Sequence, residues 1–149
     1  MNSNVTGILE RYQLDRGFLV SILQDIQKEY NYLPKEALVE VGKALGIPLS
    51  QIHHVATFFK AFSLTPRGRH TVSVCMGTAC HVRGAPKVMD NITQRLGIKP
   101  DETTADLKFT VERVNCVGTC AQGPMVLVDG DYYGTMSSDK VEPMIKKYD

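Results

Sequence analysis

From Ile8 onward the apolar positions recur at helical spacing. Ile8, Leu9 and Tyr12 open one face, and Phe18, Leu19, Ile22, Leu23, Ile26 and Tyr30 form a second, with Asp15 placed to cap the helix that carries them. Asn31 and Pro34 interrupt the pattern. Pro34 suits the first turn of a following helix with Ala37, Leu38, Val41 and Leu45 inward and Gly46 as its terminator. Ser50 stands as the cap of a further helix, on which Ile52, Val55, Ala56 and Phe59 fall at i, i+3, i+4 and i+7. The stretch Ser63-Leu64-Thr65-Pro66-Arg67-Gly68 reads as a loop and ends the helical part.

The period then changes. Arg69 to Val74 alternates as a strand, with Val72 and Val74 against Thr71 and Ser73. A helix from about Gly84 to Leu96 follows, with Val88, Ile92 and Leu96 on one face and Gly97-Ile98-Lys99-Pro100 at its end. Phe109 to Asn115 is a second strand. This is a βαβ unit, so its two strands should be parallel, with a right-handed crossover. Met125 to Val128 is a third strand, Asp129-Gly130 is a two-residue hairpin signal, and Tyr132 and Tyr133 lie on the return strand. A terminal helix holds Met144 and Ile145. Pro143 fits its first turn better than its interior, which predicts a late or distorted start. Gly123-Pro124, just before the hairpin, is the place for a cis peptide bond. The whole predicts an α/β chain: an N-terminal helical bundle over residues 1–64, then a thioredoxin-like domain over residues 65–149.

With 149 residues and a formal net charge of +1, the chain can build a real core and carries no global field for nucleic acid or an anionic membrane. The helices around Gly46 and Pro48 have the outline of a helix-turn-helix. The second of them offers Gln51, His53, His54 and Lys60 but no arginine, which argues for a packing bundle over DNA binding. His53 and His54 are either metal ligands or a partner-facing helix surface. No apolar run is long enough to span a bilayer, and the N-terminus carries no secretory or lipidation signal, so the reading is a protein of the reducing cytoplasm without direct membrane insertion.

The chemistry lies in the four cysteines, which come as two pairs. Cys75-Met76-Gly77-Thr78-Ala79-Cys80 follows the first strand, and Cys116-Val117-Gly118-Thr119-Cys120 follows the second. Strand C-termini are where ligands gather in α/β folds, so two loops distant in sequence can converge there. Four thiolates complete the ligand set of one tetrahedral metal or one small iron–sulfur cluster. The gaps of four and three residues favour a [2Fe–2S] cluster over a zinc knuckle, and the glycines in both loops allow backbone amides to approach sulfur. Zinc, a disulfide framework and ordinary core cysteines are the alternatives. A thiol–disulfide oxidoreductase is weakened because neither pair is Cys-X-X-Cys. The centre would carry about −2 charge oxidised and −3 reduced, and all-thiolate ligation favours potentials of roughly −400 mV as in plant-type ferredoxins. Arg83 and His81 stand on the approach to the first pair, where Arg83 would raise the potential. No dinucleotide fingerprint, phosphate loop or catalytic triad is present.

The cysteine spacing, together with Gly97-Ile98-Lys99-Pro100, Glu102-Thr103-Thr104, Asn115 to Cys120 and Val55-Ala56-Thr57-Phe58-Phe59, resembles the thioredoxin-like [2Fe–2S] ferredoxin family. This is the family of the 24 kDa-like chain of complex I, its E subunit, and it also supplies small chains to NAD(P)-linked hydrogenases and formate dehydrogenases. Relatives often carry Ala-Pro where this chain has Gly123-Pro124. The resemblance implies that Cys75, Cys80, Cys116 and Cys120 hold one [2Fe–2S] cluster and that the chain exchanges single electrons with a flavin. FMN and NAD(P)H would belong to a partner, a 51 kDa-like NADH-binding flavoprotein subunit, within a larger oxidoreductase complex that could be membrane-peripheral. The segment Val55 to Phe62 would then dock or brace that flavoprotein. The alternative is a free-standing thioredoxin-like ferredoxin acting as a carrier.

Overall fold

The structure, a computed structural model, describes residues 3–149. It falls into two compact units that divide between Arg67 and Gly68.

The first unit is helical: α1 (Ser3–Arg11), α2 (Leu19–Tyr30), α3 (Lys35–Leu45) and α4 (Leu49–Phe58). Their apolar faces close on one core centred on Ile22, Leu23, Ile26, Leu33, Val41 and Ile52. Asp15 does cap, but it caps a short 3-10 turn, Arg16–Phe18, that leads into α2, its carboxylate accepting from the Gly17 amide at 2.8 Å. Phe18 therefore lies half outside the core, against the Tyr12 ring. Gly46 ends α3 at φ +63, as expected, and the Arg16 Nε donates to the Leu45 carbonyl beside it. Two expected caps are displaced by one or two residues. Pro34 and Pro48, not a first-turn proline and Ser50, occupy the N-cap positions of α3 and α4. The extended backbone that proline favours suits a residue about to enter a helix. Helix α4 stops at Phe58, so Phe59 turns to extended backbone and is 41% exposed rather than completing the inward face. From α2, Gln27 holds the chain beyond α4, donating to the Ala61 carbonyl and accepting from the Ser63 amide.

The second unit is built on a four-stranded sheet of order β2-β1-β3-β4, from β1 (His70–Cys75), β2 (Phe109–Val114), β3 (Val126–Val128) and β4 (Asp131–Tyr133). Strands β1 and β2 are adjacent and parallel with Cys75 opposite Val114, and the other pairs are antiparallel. The hairpin turns at Asp129 and Gly130, both with positive φ, as a type I′ turn requires. Two features differ from expectation. A short helix, α5 (Thr78–Val82), follows β1 and contains Cys80. Helix α6 (Ala85–Leu96) then packs on β1, and α7 (Ser138–Lys147) packs on α6. The second difference is that α7 starts at Ser138 and runs through Pro143 rather than beginning near it. The proline forfeits one helical hydrogen bond, but burial of Val141 and Met144 on either side holds the helix through that point.

Val72, Val74, Val111, Ile92, Met125 and Val141 form the core of this unit. This is the thioredoxin-like α/β arrangement that the residue pattern implied. The Gly123–Pro124 bond is cis, at the position expected for it.

The outer edge of β2 is covered by the loop after α6. Glu102 O accepts from the Val111 amide at 3.0 Å, Thr104 Oγ1 from the Phe109 amide at 3.0 Å, and Asp101 Oδ1 from the Arg113 amide at 3.0 Å. Thr103 and Thr110 meet across the same edge through their hydroxyls.

Candidate metal centre

Cys75 is the last residue of β1, and its position is fixed on both sides. Its amide donates to Met125 O at 3.0 Å, and the next amide, of Met76, donates to Val114 O at 2.8 Å. Gly77 then turns the chain into α5, which carries Cys80 inward. Cys75 and Cys80 are 1% and 3% exposed, whereas Cys116 and Cys120 lie on an exposed loop past the end of β2. Gly118, at φ +84, shapes that loop and aims its own amide at Cys116 Sγ, 3.4 Å away. Cys116 Sγ and Cys120 Sγ are 3.4 Å apart.

The two loops come together at one end of the sheet. Burial pushes the Cys80 thiol up, the Met125 amide opposes this, and Cys75 and Cys116 add to the rise. The Gly118 amide, and then Cys120, lower the Cys116 thiol, whereas its hydrogen-bonded neighbour Cys116 raises that of Cys120. The contact between the loops is close. A methyl group on Gly77 would stand 3.0 Å from Cys116 Cβ, and one on Gly123 would stand 3.0 Å from Cys80 Sγ. Arg83 is exposed, yet its Nη1 donates to the Ala121 carbonyl at 3.0 Å and so ties the end of α5 to the turn after Cys120. His53 and His54 belong to α4 in the other unit. Among the described residues, no three His, Cys, Asp or Glu side chains are drawn together tightly enough to hold a single metal ion.

The sequence reading missed three of these features. The Met125 amide and the Arg83–Ala121 contact involve backbone groups, which leave no mark in residue identity. The third is Thr119, whose side-chain oxygen is buried with no hydrogen-bond partner, alone in this among the described residues.

The exposure difference predicts an order of reaction. In the cluster-free, reduced chain, iodoacetamide should modify Cys116 before Cys75 and Cys80, because its thiol is both accessible and lowered by the Gly118 amide. Peptide mapping after a timed quench reads this directly. Equal modification of all four cysteines would contradict the buried placement of the first pair.

The chain belongs to the thioredoxin-like [2Fe-2S] ferredoxin family, whose model matches residues 5–149. It is 35% identical over 144 residues to the HndA subunit of the NADP-reducing hydrogenase of Solidesulfovibrio fructosivorans, a match spanning 97% of this chain and 84% of that protein. It is 33% identical over 146 residues to the E subunit of the NADH-quinone oxidoreductase of Pseudomonas aeruginosa, spanning 98% and 88%. The fold also matches a chain of an NAD+-reducing [NiFe]-hydrogenase in its air-oxidized state, with a TM-score of 0.75 and 24% identity. That match covers 88% of this chain but only 22% of the hydrogenase chain.

The cofactor of the family is a [2Fe–2S] cluster, and the residues present fit one. The donor set is all sulfur. Amides are directed at two of the sulfurs, and glycine stands at both points where a side chain would press on a cysteine.

Proposed function

We propose that Cys75, Cys80, Cys116 and Cys120 hold one [2Fe–2S] cluster in a domain spanning residues 65–149, and that the chain is the electron-transfer subunit of an NAD(P)H-linked oxidoreductase. The observation that carries this reading is the convergence of two cysteine pairs, one anchored at a strand end and one on an exposed loop. Names of relatives with similar length support it: a hydrogenase subunit and a quinone oxidoreductase subunit. Bound there, the cluster supplies one-electron chemistry, and its reduction adds negative charge.

The chain's own residues hold and tune it. Cys75 and Cys80 anchor the buried side, and the Gly118 and Met125 amides offset charge on sulfur. Arg83 fixes the turn after Cys120 through Ala121 O and keeps a positive charge near the site. The exposed loop of Cys116 and Cys120 is the side through which electrons pass to and from a partner.

The partner is a 51 kDa-like flavoprotein subunit carrying FMN and the NAD(P)H site. The helical bundle, residues 1–64, docks it through the segment from Val55 to Phe62. There Phe58 is 72% exposed and packs edge-to-face on Phe59, with ring centroids 5.0 Å apart. The proposed location is the cytoplasm, peripheral to the membrane where the complex is membrane-bound. Among the described residues no helix is long and apolar enough to cross a membrane.

Anaerobic purification tests the reading. The expected result is a red-brown protein with about two irons and two sulfides per chain and a spin-half EPR signal after dithionite. A colourless protein with stoichiometric zinc would overturn it. Co-purification with a flavoprotein then separates the complex subunit from a free-standing carrier.

A further inference from the structure

The Thr119 side chain sits between Gly118 and Cys120, in the middle of the second cysteine loop. Its hydroxyl oxygen is buried and makes no hydrogen bond to any described residue. Buried hydroxyl groups in proteins are almost always paired, because removal from water without a new partner is costly. Threonines elsewhere in this chain solve the problem locally. Thr57 donates to the carbonyls of His53 and His54, and Thr93 to those of Met89 and Asp90. Thr119 does not turn back on its own loop in this way, although its carbonyl is engaged by the Gln122 amide at 3.0 Å. Nor does it donate to the sulfurs beside it. Cys116 Sγ contacts Cys120 Sγ and the Gly118 amide, not the hydroxyl. The acceptor that would satisfy it is therefore an atom the chain does not supply, next to the loop that carries Cys116 and Cys120.

We propose that the Thr119 hydroxyl donates a hydrogen bond to a sulfide of the bound cluster and thereby raises its reduction potential. This rests on the reading that the four cysteines hold the cluster. The physical basis is charge. Reduction adds one electron to an already negative centre, so a donor aimed at its sulfur stabilises the reduced form more than the oxidised form. Thr119 acts on the potential through this bond and has no part in ligation.

The test compares the full-length wild-type chain with Thr119→Val, which keeps the shape and removes the hydroxyl, and with Thr119→Ser, which keeps the hydroxyl. Iron and sulfide are assayed in each, and the midpoint potential is measured by EPR-monitored redox titration. The expected result for Thr119→Val is a reduction equilibrium about tenfold less favourable, a midpoint about 59 mV lower for one electron. Thr119→Ser should return most of the difference. If Thr119→Val does not retain its iron, deuterium ENDOR on the reduced wild-type and Thr119→Ser chains serves in its place. Both should show an exchangeable deuteron coupled to the cluster that Thr119→Ala lacks. An unchanged midpoint in Thr119→Val, an equal fall in Thr119→Val and Thr119→Ser, or the same deuteron coupling in Thr119→Ala would each overturn the proposal. A wild-type chain without iron would sink the ligand reading, and this proposal with it, before any potential is measured.

Discussion

Replacement of Cys75 by alanine is expected to leave a folded chain that has lost its iron. The backbone at this position is pinned by hydrogen bonds to Met125 O and Val114 O, so the main chain stays where it is. The lost sulfur removes little packing volume, at a cost of about 1 kcal/mol. No spare cysteine can take its place, because the four cysteines are the only ones in the chain and the site lies against the end of a fixed strand. Loss of an outer-shell hydrogen bond typically costs a metal site about 10–100-fold in affinity, and loss of a ligand should cost at least that. Under anaerobic preparation, iron and acid-labile sulfide should fall to about a tenth of wild type or less. Circular dichroism should remain close to wild type. Wild-type iron content in this variant would show that Cys75 is a core cysteine and not a ligand.

The second large effect is on stability. Gly68→Ala should destabilise the second unit by about 3 kcal/mol, because the added methyl has only backbone to move. Its Cβ would stand 2.6 Å from the Phe109 carbonyl carbon, 2.7 Å from the Phe109 nitrogen and 2.9 Å from the Lys108 carbonyl carbon. Relief requires the first residue of β2 to shift. It would also stretch the 2.6 Å hydrogen bond from the Gly68 amide to Thr110 Oγ1. Urea unfolding followed by circular dichroism should show a lower midpoint with an unchanged slope. A midpoint within error of wild type would mean that this segment can move away at no cost.

How far the fold was legible follows from where periodicity is strong. Val72 and Val74 against Thr71 and Ser73, then Val88, Ile92 and Leu96, were enough to place a parallel βαβ unit, and Asp129-Gly130 placed its hairpin. Helix α5 was missed because Thr78 to Val82 shows no apolar repeat. It buries Cys80, while Val82 is left exposed. The end of α4 was overrun because Phe59 has the right spacing but the wrong backbone, a choice made by the tertiary contacts of Phe62 and Ala61. Pro143 misled for the opposite reason: its local cost is real but smaller than the burial on either side of it.

The candidate site shows the same division. Its four cysteines and their convergence followed from spacing and strand order. The approach of an amide to sulfur in the second loop followed from Gly118, whereas the amide of Met125 and the carbonyl of Ala121 did not, because backbone groups have no residue signature. Thr119 carried no signal either, since a threonine next to a cysteine is common and only the surroundings of its hydroxyl make it unusual.

The loop over the edge of β2 bears on how the protein behaves in concentrated solution. The amides of Phe109, Val111 and Arg113, which would otherwise form a row open to another chain, are each taken by that loop. At the opposite edge only the three residues of β4 remain, one of them the charged Asp131, with the Lys147 ammonium on the Tyr133 hydroxyl. The sheet thus offers a second molecule no long template for strand addition, and fibrillar self-association through this unit is blocked at the edge where it would otherwise begin.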